Sequence, residues 1–416
     1  MDTKTLKYQD ENLHYYIYNI VAFTIMMNLF KPFMVTYLKA LGGGEFHISL
    51  LNSLPGLVAI FTIIPGSLIL NGSSNKQRAT AIFTLVSRIA LLFFAVVPFV
   101  PTYIRPLLFA ALVGIRHFPE SLSVAGNQSF IADAFTPQKR THAITISRSY
   151  AMFIQIIVVF LTGVILTYLP KNQEQELWTY QAFFVLAFLV GVYEVYNFMK
   201  LKTMERQEEK KAISIKAYKK IFKIKENKAY WIFVLCSLIF HFGWQMGWPL
   251  FSIKQVQELG ADELWLAFFF SASSIVSLFT YRLWNKWIAR YGNNRVAFMA
   301  TLGMSLNALC VAISPNLPVM LVLSTVSGIF TSGTVTVLLN LLLEVTPNED
   351  RILYVGLYNT FINISLFISP FVGYFILNQS NVFIALLVVV GLRAIGGLTF
   401  FIRYRYTEKL VNQGTA

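Results

Sequence analysis

The sequence predicts an all-α membrane protein whose twelve transmembrane helices form two pseudo-symmetric six-helix bundles. The first observation behind this fold class is composition, because the 416 residues are 56% hydrophobic and only 13% charged. A soluble protein carries about a quarter charged residues, and the mean hydropathy here is +0.58. The second observation is a series of long apolar segments, and the third is a repeat that relates the two halves of the chain.

Twelve segments are apolar over the roughly twenty residues that a helix needs to cross a bilayer. These segments are 15–40, 47–70, 79–98, 105–131, 141–168, 177–199, 229–254, 263–289, 296–314, 317–343, 352–377 and 381–402. Several exceed the minimum length, which predicts tilted helices or helices that extend beyond the hydrocarbon. The polar stretch "MDTKTLKYQDENLHYY" comes before the first segment, and that segment is long and has no small-residue cleavage site. We therefore expect a retained first helix rather than a signal peptide.

Basic residues concentrate at one set of joints between the predicted helices. The joint between the sixth and seventh helices, residues 200–228, holds eleven Lys and Arg. Other basic residues follow even-numbered helices: Lys76, Arg78, Lys139, Arg140, Arg290, Arg295, Arg351, Arg403 and Arg405. By the positive-inside rule, we expect a multi-pass protein of the cell membrane with both termini in the cytoplasm. The net charge of +14 then indicates topology and a lipid surface rather than nucleic-acid binding.

Matches at a constant spacing indicate that the two halves repeat. Pro32 and Pro249 lie 217 residues apart, and so do Arg78 and Arg295. The stretches "DAFTPQKR" and "LEVTPNEDR" follow the fourth and tenth helices, and each contains an acid, Thr-Pro and an arginine. We therefore predict three parts. They are an N-terminal six-helix bundle over 1–199, a basic cytoplasmic linker over 200–228 and a C-terminal six-helix bundle over 229–416.

The helix count, the repeat and the loop motifs together resemble the major facilitator superfamily over essentially the whole chain. The stretch "WIARYGNNRV" after the eighth helix is similar to a cytoplasmic-loop motif of that family. The loop after the second helix departs from the family pattern, because "GSLILNGSSNKQR" has no acid where an aspartate is usual. Ala289 stands at the equivalent position of the second half. The ion pair that this aspartate makes in the family is therefore missing or replaced.

The resemblance implies transport by alternating access, in which two bundles rock about a site near the bilayer midplane. It also implies that the first, second, fourth and fifth helices of each half line the cavity, with the third and sixth outside them. The repeated acids and arginines of the loops are expected to form ion pairs that help to close the cytoplasmic side. These gating pairs are Asp133 with Arg140 and Glu344 with Arg351.

The fourth helix, which contains "GIRHFPES", carries polar residues at a helical spacing. One face of this helix holds Arg116, Glu120, Ser123 and Asn127. A charge at the bilayer centre costs on the order of 2.5–3.5 kcal/mol on an insertion scale, so this face should meet a partner or an aqueous cavity. Arg116 and Glu120 are one turn apart and can pair, and Pro119 should loosen the helix beside them.

The first and seventh helices carry further candidates for substrate binding. In the first helix, Asn28 and Lys31 continue a helical spacing that starts at Thr24. In the seventh, "FHFGWQMGW" presents a face that consists of His241, Trp244, Gln245 and Trp248. The alternative for such stripes is hydrogen bonding between helices, which holds a bundle together. For the two tryptophans, the alternative is an aromatic belt at the membrane interface.

Three more charges lie in helices that the resemblance places outside the cavity, namely Arg88, Glu194 and Arg393. We expect Arg88, which lies in the middle of an apolar run, to pair with a neighbouring helix. Glu194 and Arg393 are expected to be structural or interfacial rather than ligands of a substrate.

These features favour a secondary active transporter of a small organic solute that carries an anionic group. Lys31 and Arg116 would attract the anionic group, while the two tryptophans would stack on an apolar or planar part. Glu120 would be the proton-coupling residue, because burial and a nearby arginine act on its charge in opposite directions.

The alternative is a drug or metabolite antiporter that exports hydrophobic or cationic compounds in exchange for protons. The fifth helix lacks the glycine- and proline-rich motif that is common in drug exporters of the family, which weakens this alternative. A facilitator without proton coupling is a third possibility. No motif of a known enzyme class is present, and the chain has no soluble domain that could hold a catalytic site. We expect no cofactor, metal or nucleic-acid partner, and a monomer that interacts with its substrate, protons and the lipid bilayer.

Overall fold

The computed structural model describes residues 3–73, 75–202, 226–347 and 351–412, which are almost entirely helical and contain no strand. The helices are α1 (Thr3–Asn28), α2 (Met34–Ala40), α3 (Glu45–Gly72), α4 (Lys76–Val96), α5 (Arg105–Ala134), α6 (Pro137–Tyr168), α7 (Gln173–Lys200), α8 (Lys228–Ser252), α9 (Glu263–Ile313), α10 (Leu317–Val345), α11 (Arg351–Gln379) and α12 (Val382–Asn412). Short 3₁₀ turns cover Lys31–Phe33 and Val97–Phe99, and a π-helical turn covers Ile253–Glu258. The predicted all-α fold class is confirmed.

All twelve predicted spans fall on these helices. Ten stretches of the described chain are helical, long and apolar enough to cross a membrane. One of them, α9, is 51 residues long and contains the eighth and ninth predicted spans, which meet at Gly292. Gly292 has a φ of +77°, which glycine adopts without strain because it has no Cβ. The second predicted span, which is not among the ten, lies within α3.

The first predicted span, residues 15–40, differs from the structure at its start and in its middle. α1 begins at Thr3, and the polar residues from Gln9 to Asn12 have partners elsewhere in the fold. Asn12 is buried, and its Nδ2 donates to the carbonyl oxygens of Ala134 at 3.0 Å and Lys202 at 2.8 Å. α1 then ends before Pro32, which has no backbone N–H to donate, and a 3₁₀ turn leads into α2.

Several helices start directly after an asparagine or aspartate whose side-chain oxygen accepts a backbone N–H of the first turn. These N-cap residues are Asn75 for α4, Asn172 for α7, Asn227 for α8, Asp262 for α9 and Asn316 for α10. Replacing such a residue by alanine typically costs about 0.5–2 kcal/mol. Local sequence therefore fixes where these helices begin.

The first compact unit comprises Met1–Gly43 and Phe61–Ser214. Aromatic side chains fill one end of it around Tyr37 of α2, whose ring centre lies 4.9 Å from that of Phe109 and 5.0 Å from that of Phe184. The Tyr37 hydroxyl donates to the carbonyl oxygen of Phe94 at 2.9 Å. These contacts join α2 to α5, α7 and α4, and they hold the chain in place just after the break at Pro32.

The second compact unit comprises Gly44–Ile60 and Ile215–Ala416. In its core, Trp284 of α9 is buried and donates its Nε1–H to the carbonyl oxygen of Ile329 in α10 at 2.7 Å. The Tyr230 hydroxyl of α8 donates to the carbonyl oxygen of Tyr354 in α11 at 2.8 Å. Most of the predicted linker, residues 203–225, lies outside the described residues, and the predicted limits of the two bundles stay a prediction.

Candidate functional site

Two arginines and two glutamates form a buried network in the first unit. Arg88 of α4 is fully buried, and its Nε and Nη2 each lie 2.9 Å from a different carboxylate oxygen of Glu194 in α7. Its Nη1 donates to Glu120 of α5 and, at 3.0 Å, to the Ser87 hydroxyl. The fork of a guanidinium matches a carboxylate in such a two-bond pair, which makes the Arg88–Glu194 pair strong and directional.

Glu120 accepts hydrogen bonds from three side chains at one carboxylate oxygen, Oε2. Besides Arg88, the Ser87 hydroxyl donates to it at 2.5 Å, and Nη2 of Arg116 donates at 3.3 Å. Arg116 also donates its Nε–H to the carbonyl oxygen of Ser87 at 3.2 Å, and its guanidinium lies 5.3 Å from the centre of the Phe30 ring. The structure thus brings Arg116 and Glu120 together, as their spacing predicts.

Farther along α5, Asn127 continues the network by hydrogen bonds rather than by charge. Its Nδ2 donates to the Asn19 side chain of α1 at 3.4 Å, and Asn19 donates to the backbone oxygen of Glu194 at 3.0 Å. α5 runs through Pro119 without ending, so these residues share one continuous helix. Asn127 therefore connects helices, which is the alternative that the sequence left open for such stripes.

Lys31 lies at the break between α1 and α2. Its side chain is accessible to solvent although protein atoms surround it on most sides. It makes no hydrogen bond or ion pair with the residues that the structure describes, and Arg116 and Glu120 are the charged groups that act on it. Asn28, one turn earlier, is buried and donates to the carbonyl oxygen of Thr24 in its own helix at 2.7 Å.

In the second unit, α8 carries the aromatic candidates on one face. The ring centre of Trp244 lies 5.4 Å from that of His241 and 6.4 Å from that of Trp248. His241 Nδ1 lies 2.8 Å from the carbonyl oxygen of Ser237. A carbonyl oxygen only accepts, so Nδ1 carries the proton in the neutral ring and Nε2 is left as an acceptor.

Gln245, which the sequence groups with these aromatic residues, contacts another helix. It is buried, and its Nε2 donates to the carbonyl oxygen of Ile362 in α11 at 3.3 Å. Its Oε1 is buried without a hydrogen-bond partner among the described residues. Its amide nitrogen thus contributes to packing between α8 and α11.

Arg393 of α12 binds the backbone of α8 beside the aromatic residues. It is fully buried, and its guanidinium donates to the backbone oxygens of Gly243 at 3.3 Å and Trp244 at 3.1 Å. It also donates to the Met304 carbonyl oxygen at 3.0 Å and to the Asn307 side chain at 3.4 Å, both in α9. No carboxylate pairs with it in the described part of the chain. Arg393 therefore joins three helices through backbone oxygens.

The predicted gating pairs involve two side chains that lie outside the described ones, those of Asp133 and Arg351. Of their predicted partners, Arg140, in the first turn of α6, donates to the backbone oxygen of Phe135, which lies between α5 and α6, at 3.4 Å. Glu344 accepts a hydrogen bond from Asn293 at the joint between the two spans of α9. The gating role of these four residues stays a prediction.

Sequence reasoning did not select Ser87, Arg88 or Glu194 as members of the candidate site. Arg88 and Glu194 lie in helices that the family resemblance assigns to the outside of the cavity, so the resemblance pointed away from them. A usable signal was nevertheless present, because an arginine in the middle of an apolar span needs a buried partner or a water-filled cavity.

Comparison with known proteins identifies the family. The model of the Major Facilitator Superfamily matches residues 17–242 and 233–415. No curated protein matches the chain.

Among solved structures, three transporters are similar in fold. The nucleoside transporter NupG has a TM-score of 0.72 at 12% identity, with 95% of this chain and 99% of that chain covered. The D-xylose–proton symporter has a TM-score of 0.66 at 14% identity, covering 95% and 96%. A bacterial homologue of the human lysosomal transporter Spinster, in an inward-facing and unoccupied conformation, has a TM-score of 0.64 at 13% identity, covering 97% and 98%.

At these identities the likeness to solved structures establishes the fold, while the family match covers nearly the whole length. The protein therefore belongs to the major facilitator superfamily and is a multi-pass membrane transporter rather than an enzyme.

Proposed function

We propose that the protein is a proton-coupled secondary transporter that moves a small organic anion by alternating access. The observation that carries this proposal is the charge balance of the first unit. The network and its neighbour at the helix break contain three cations and two carboxylates: Arg88, Arg116, Lys31, Glu120 and Glu194. With all five ionised, this group of residues carries one uncompensated positive charge, which favours an anionic ligand.

The two arginines differ in how they depend on Glu120. Arg88 has a second carboxylate, Glu194, which binds it through two hydrogen bonds. Arg116 has only Glu120 as a carboxylate partner in the part of the chain that the structure describes. Protonation of Glu120 therefore leaves Arg88 paired but frees Arg116.

Release of Arg116 next to Lys31 determines whether a proton on Glu120 favours or opposes binding of an anion. A proton on Glu120 raises the net charge of the site, so proton binding and anion binding strengthen each other. Reciprocity of linked binding requires that the anion also promote protonation of Glu120. Couplings of this kind are typically about 1–3 kcal/mol, or roughly 5–150-fold in affinity. Proton and anion then cross together, which is symport.

The aromatic face of the second unit supports a solute with an apolar or planar part. Trp244 and Trp248 offer ring surfaces, and His241 offers an acceptor nitrogen next to them. Aromatic rings of this kind stack on planar groups. One structural neighbour is described as a proton symporter of D-xylose and another as a nucleoside transporter. They share only the fold with this chain, so the proposal takes no substrate from them.

The first test is a thermal-shift panel on purified protein with anionic, zwitterionic, cationic and neutral solutes at an acidic and an alkaline pH. A ligand that binds the folded state raises its apparent stability by mass action. We expect stabilisation by one or more anions, stronger at acidic pH, and its loss in Lys31→Ala and Arg116→Ala. Lys171→Ala, an exposed lysine on a loop, serves as the control for loss of a cation.

The second test separates the proton site from the anion site. Glu120→Gln should bind the same anion without dependence on pH and should exchange it across proteoliposomes, but should not accumulate it in response to a pH gradient. Glu174→Gln, which removes an exposed carboxylate in the first turn of α7, should behave like the wild type. Stabilisation only by hydrophobic cations, weaker at acidic pH, would overturn the symport proposal and favour proton-driven export.

A further inference from the structure

A cluster of three exposed arginines and two tyrosines, of which Tyr404 is half-buried, lies where the two spans of α9 meet the end of α12. We call it the basic rim and define it as Arg290, Tyr291, Arg295, Tyr404 and Arg405. The guanidinium of Arg295 lies 5.8 Å from the centre of the Tyr291 ring and 5.9 Å from that of Tyr404. Arg290 lies 5.2 Å from the same Tyr291 ring. Tyr291 and Tyr404 therefore hold Arg290 and Arg295 side by side.

The backbone of the rim is held in place by buried contacts. Arg403, two residues before Arg405, is buried; it donates to the Asn294 side chain, and its guanidinium lies 5.7 Å from the centre of the Phe233 ring. Gly292 provides the turn, with a positive φ, that brings both sides of the α9 joint together. The rim is thus a fixed feature of the fold.

Carboxylates compensate little of the positive charge of the rim. Arg290 and Arg295 form no ion pair with the described residues. Arg405 pairs with Glu408 at 3.6 Å, and both side chains are largely exposed. Glu344, on the neighbouring helix α10, accepts a hydrogen bond from Asn293. The rim therefore carries a net positive charge that its neighbours leave open to a ligand.

The surface that leads to the rim is apolar and exposed along two helices. On α12, Ile395, Leu398 and Ile402 are 49–66% exposed and lie on the same helical face as Arg405. On α9, Leu306 and Ile313 are 49% and 53% exposed and share a face with Arg295. In a membrane protein, lipid chains cover such faces. Both apolar stripes end at an arginine, so the rim lies where hydrocarbon gives way to headgroups.

We propose that the basic rim binds the headgroup of an anionic phospholipid whose acyl chains lie along the apolar stripes of α9 and α12. Arginine forms paired hydrogen bonds with phosphate, and tyrosine is enriched at the level of the lipid headgroups. Basic groups next to a spanning helix attract anionic lipids of the cytoplasmic leaflet, where the charge distribution predicts the rim to lie. This site is separate from Glu120 and does not depend on the proposed substrate.

The test compares lipid retention by native mass spectrometry of the full-length protein in micelles with equal amounts of phosphatidylglycerol and phosphatidylcholine. We expect preferential retention of phosphatidylglycerol, weakened about fivefold for each of Arg290→Gln, Arg295→Gln and Arg405→Gln. Arg78→Gln is the matched control, because Arg78 is the repeat counterpart of Arg295, is exposed, and has no cation–π partner among the described residues. This control should retain phosphatidylglycerol like the wild type.

A second measurement keeps the proposal open to refutation if a variant is poorly folded. In phosphatidylcholine nanodiscs, the variants should melt at the temperature of the wild type, while added phosphatidylglycerol should raise the melting temperature of the wild type and of Arg78→Gln only. Equal loss of phosphatidylglycerol in Arg295→Gln and Arg78→Gln would show general attraction to basic residues and would overturn a specific site. Stabilisation by inorganic phosphate to the same extent would overturn the lipid assignment.

Discussion

Arg88 and Glu194 form a two-bond ion pair between α4 and α7, with both N–O distances at 2.9 Å and both side chains buried. Neither residue lies on a helix that the family resemblance assigns to the cavity. Their pair nevertheless matters for the proposed site, because it keeps Arg88 compensated whatever the charge of Glu120. Four predictions follow from this arrangement and from its counterparts in the rest of the fold.

Removing the charge of Glu194 should destabilise the protein strongly. Glu194→Gln leaves Arg88 in an apolar interior, where it must share the carboxylate of Glu120 with Arg116. Breaking a buried pair in this way typically costs about 3–5 kcal/mol. In detergent, the melting temperature of Glu194→Gln should be much lower than that of Glu408→Gln, because the exposed pair of Glu408 with Arg405 contributes about 1 kcal/mol or less. The double variant Arg88→Gln/Glu194→Gln should lose less than the sum of the two single variants. Strict additivity would show that the pair is energetically irrelevant.

Glycine at position 191 is required for Arg88 to reach Glu194. A Cβ added to Gly191 of α7 would lie 2.7 Å from Cγ and 2.8 Å from Cδ of Arg88, which is closer than carbon atoms can approach. Gly191→Ala should therefore cost about 1–3 kcal/mol through overpacking.

Gly391 of α12 is the matched control, because it lies within the last helix of the other half and an added Cβ would meet nothing within 4 Å. Gly391→Ala should be neutral or stabilise by up to about 1 kcal/mol, since alanine favours the helix. Melting temperatures measured side by side decide the matter, and equal values for the two variants would contradict the predicted clash.

Arg393 should tolerate no replacement of its guanidinium, even by another cation. Arg393→Lys keeps the charge but cannot reach the backbone oxygens of Gly243, Trp244 and Met304 at once. Each lost charge-assisted hydrogen bond costs about 1.5–3 kcal/mol. The variant should melt lower, and its tryptophan emission should shift because Trp244 loses its anchor. Arg282→Lys, which changes an exposed arginine of α9 in the same way, should leave both readouts unchanged.

Asn12 should contribute to stability although it lies in a polar N-terminal stretch. Besides donating to two backbone oxygens, its Oδ1 accepts the backbone N–H of Lys202 at 2.9 Å. Asn12→Ala would leave these backbone groups without this partner, at a cost of about 1–3 kcal/mol. His14→Ala removes an exposed side chain of the same helix and should change stability by no more than about 0.5 kcal/mol. Equal melting temperatures for the two variants would refute the role of Asn12.

The sequence was sufficient for features that depend on local pattern. The twelve spans follow from hydropathy alone, and Asn and Asp caps place several helix starts close to the predicted ones. The pairing of Arg116 with Glu120 was predictable because both residues lie one turn apart on the same helix.

Features that depend on which helices are neighbours were not predictable in the same way. Arg88 pairs with Glu194, which lies 106 positions later in the sequence. Hydropathy does not predict this pair, because it does not indicate which face of α4 packs against α7. Proline at position 32 indicates a break, but an apolar run passes through it, so hydropathy predicts one continuous helix. The early start of α1 depends on Asn12, whose partners come from distant segments.

Glu194 of α7 and Arg393 of α12 have a consequence for how the chain enters the membrane. Glu194 and Arg393 each lie in the last helix of a half, and each would burden the insertion of that helix by a few kcal/mol on an insertion scale. Their partners lie in α4 for Glu194 and in α8 and α9 for Arg393, all of which leave the ribosome earlier. The last helix of each half is thus synthesised after the helices whose groups pair with or hydrogen-bond its charge. Stable insertion of that last helix therefore requires that the earlier helices have already assembled correctly.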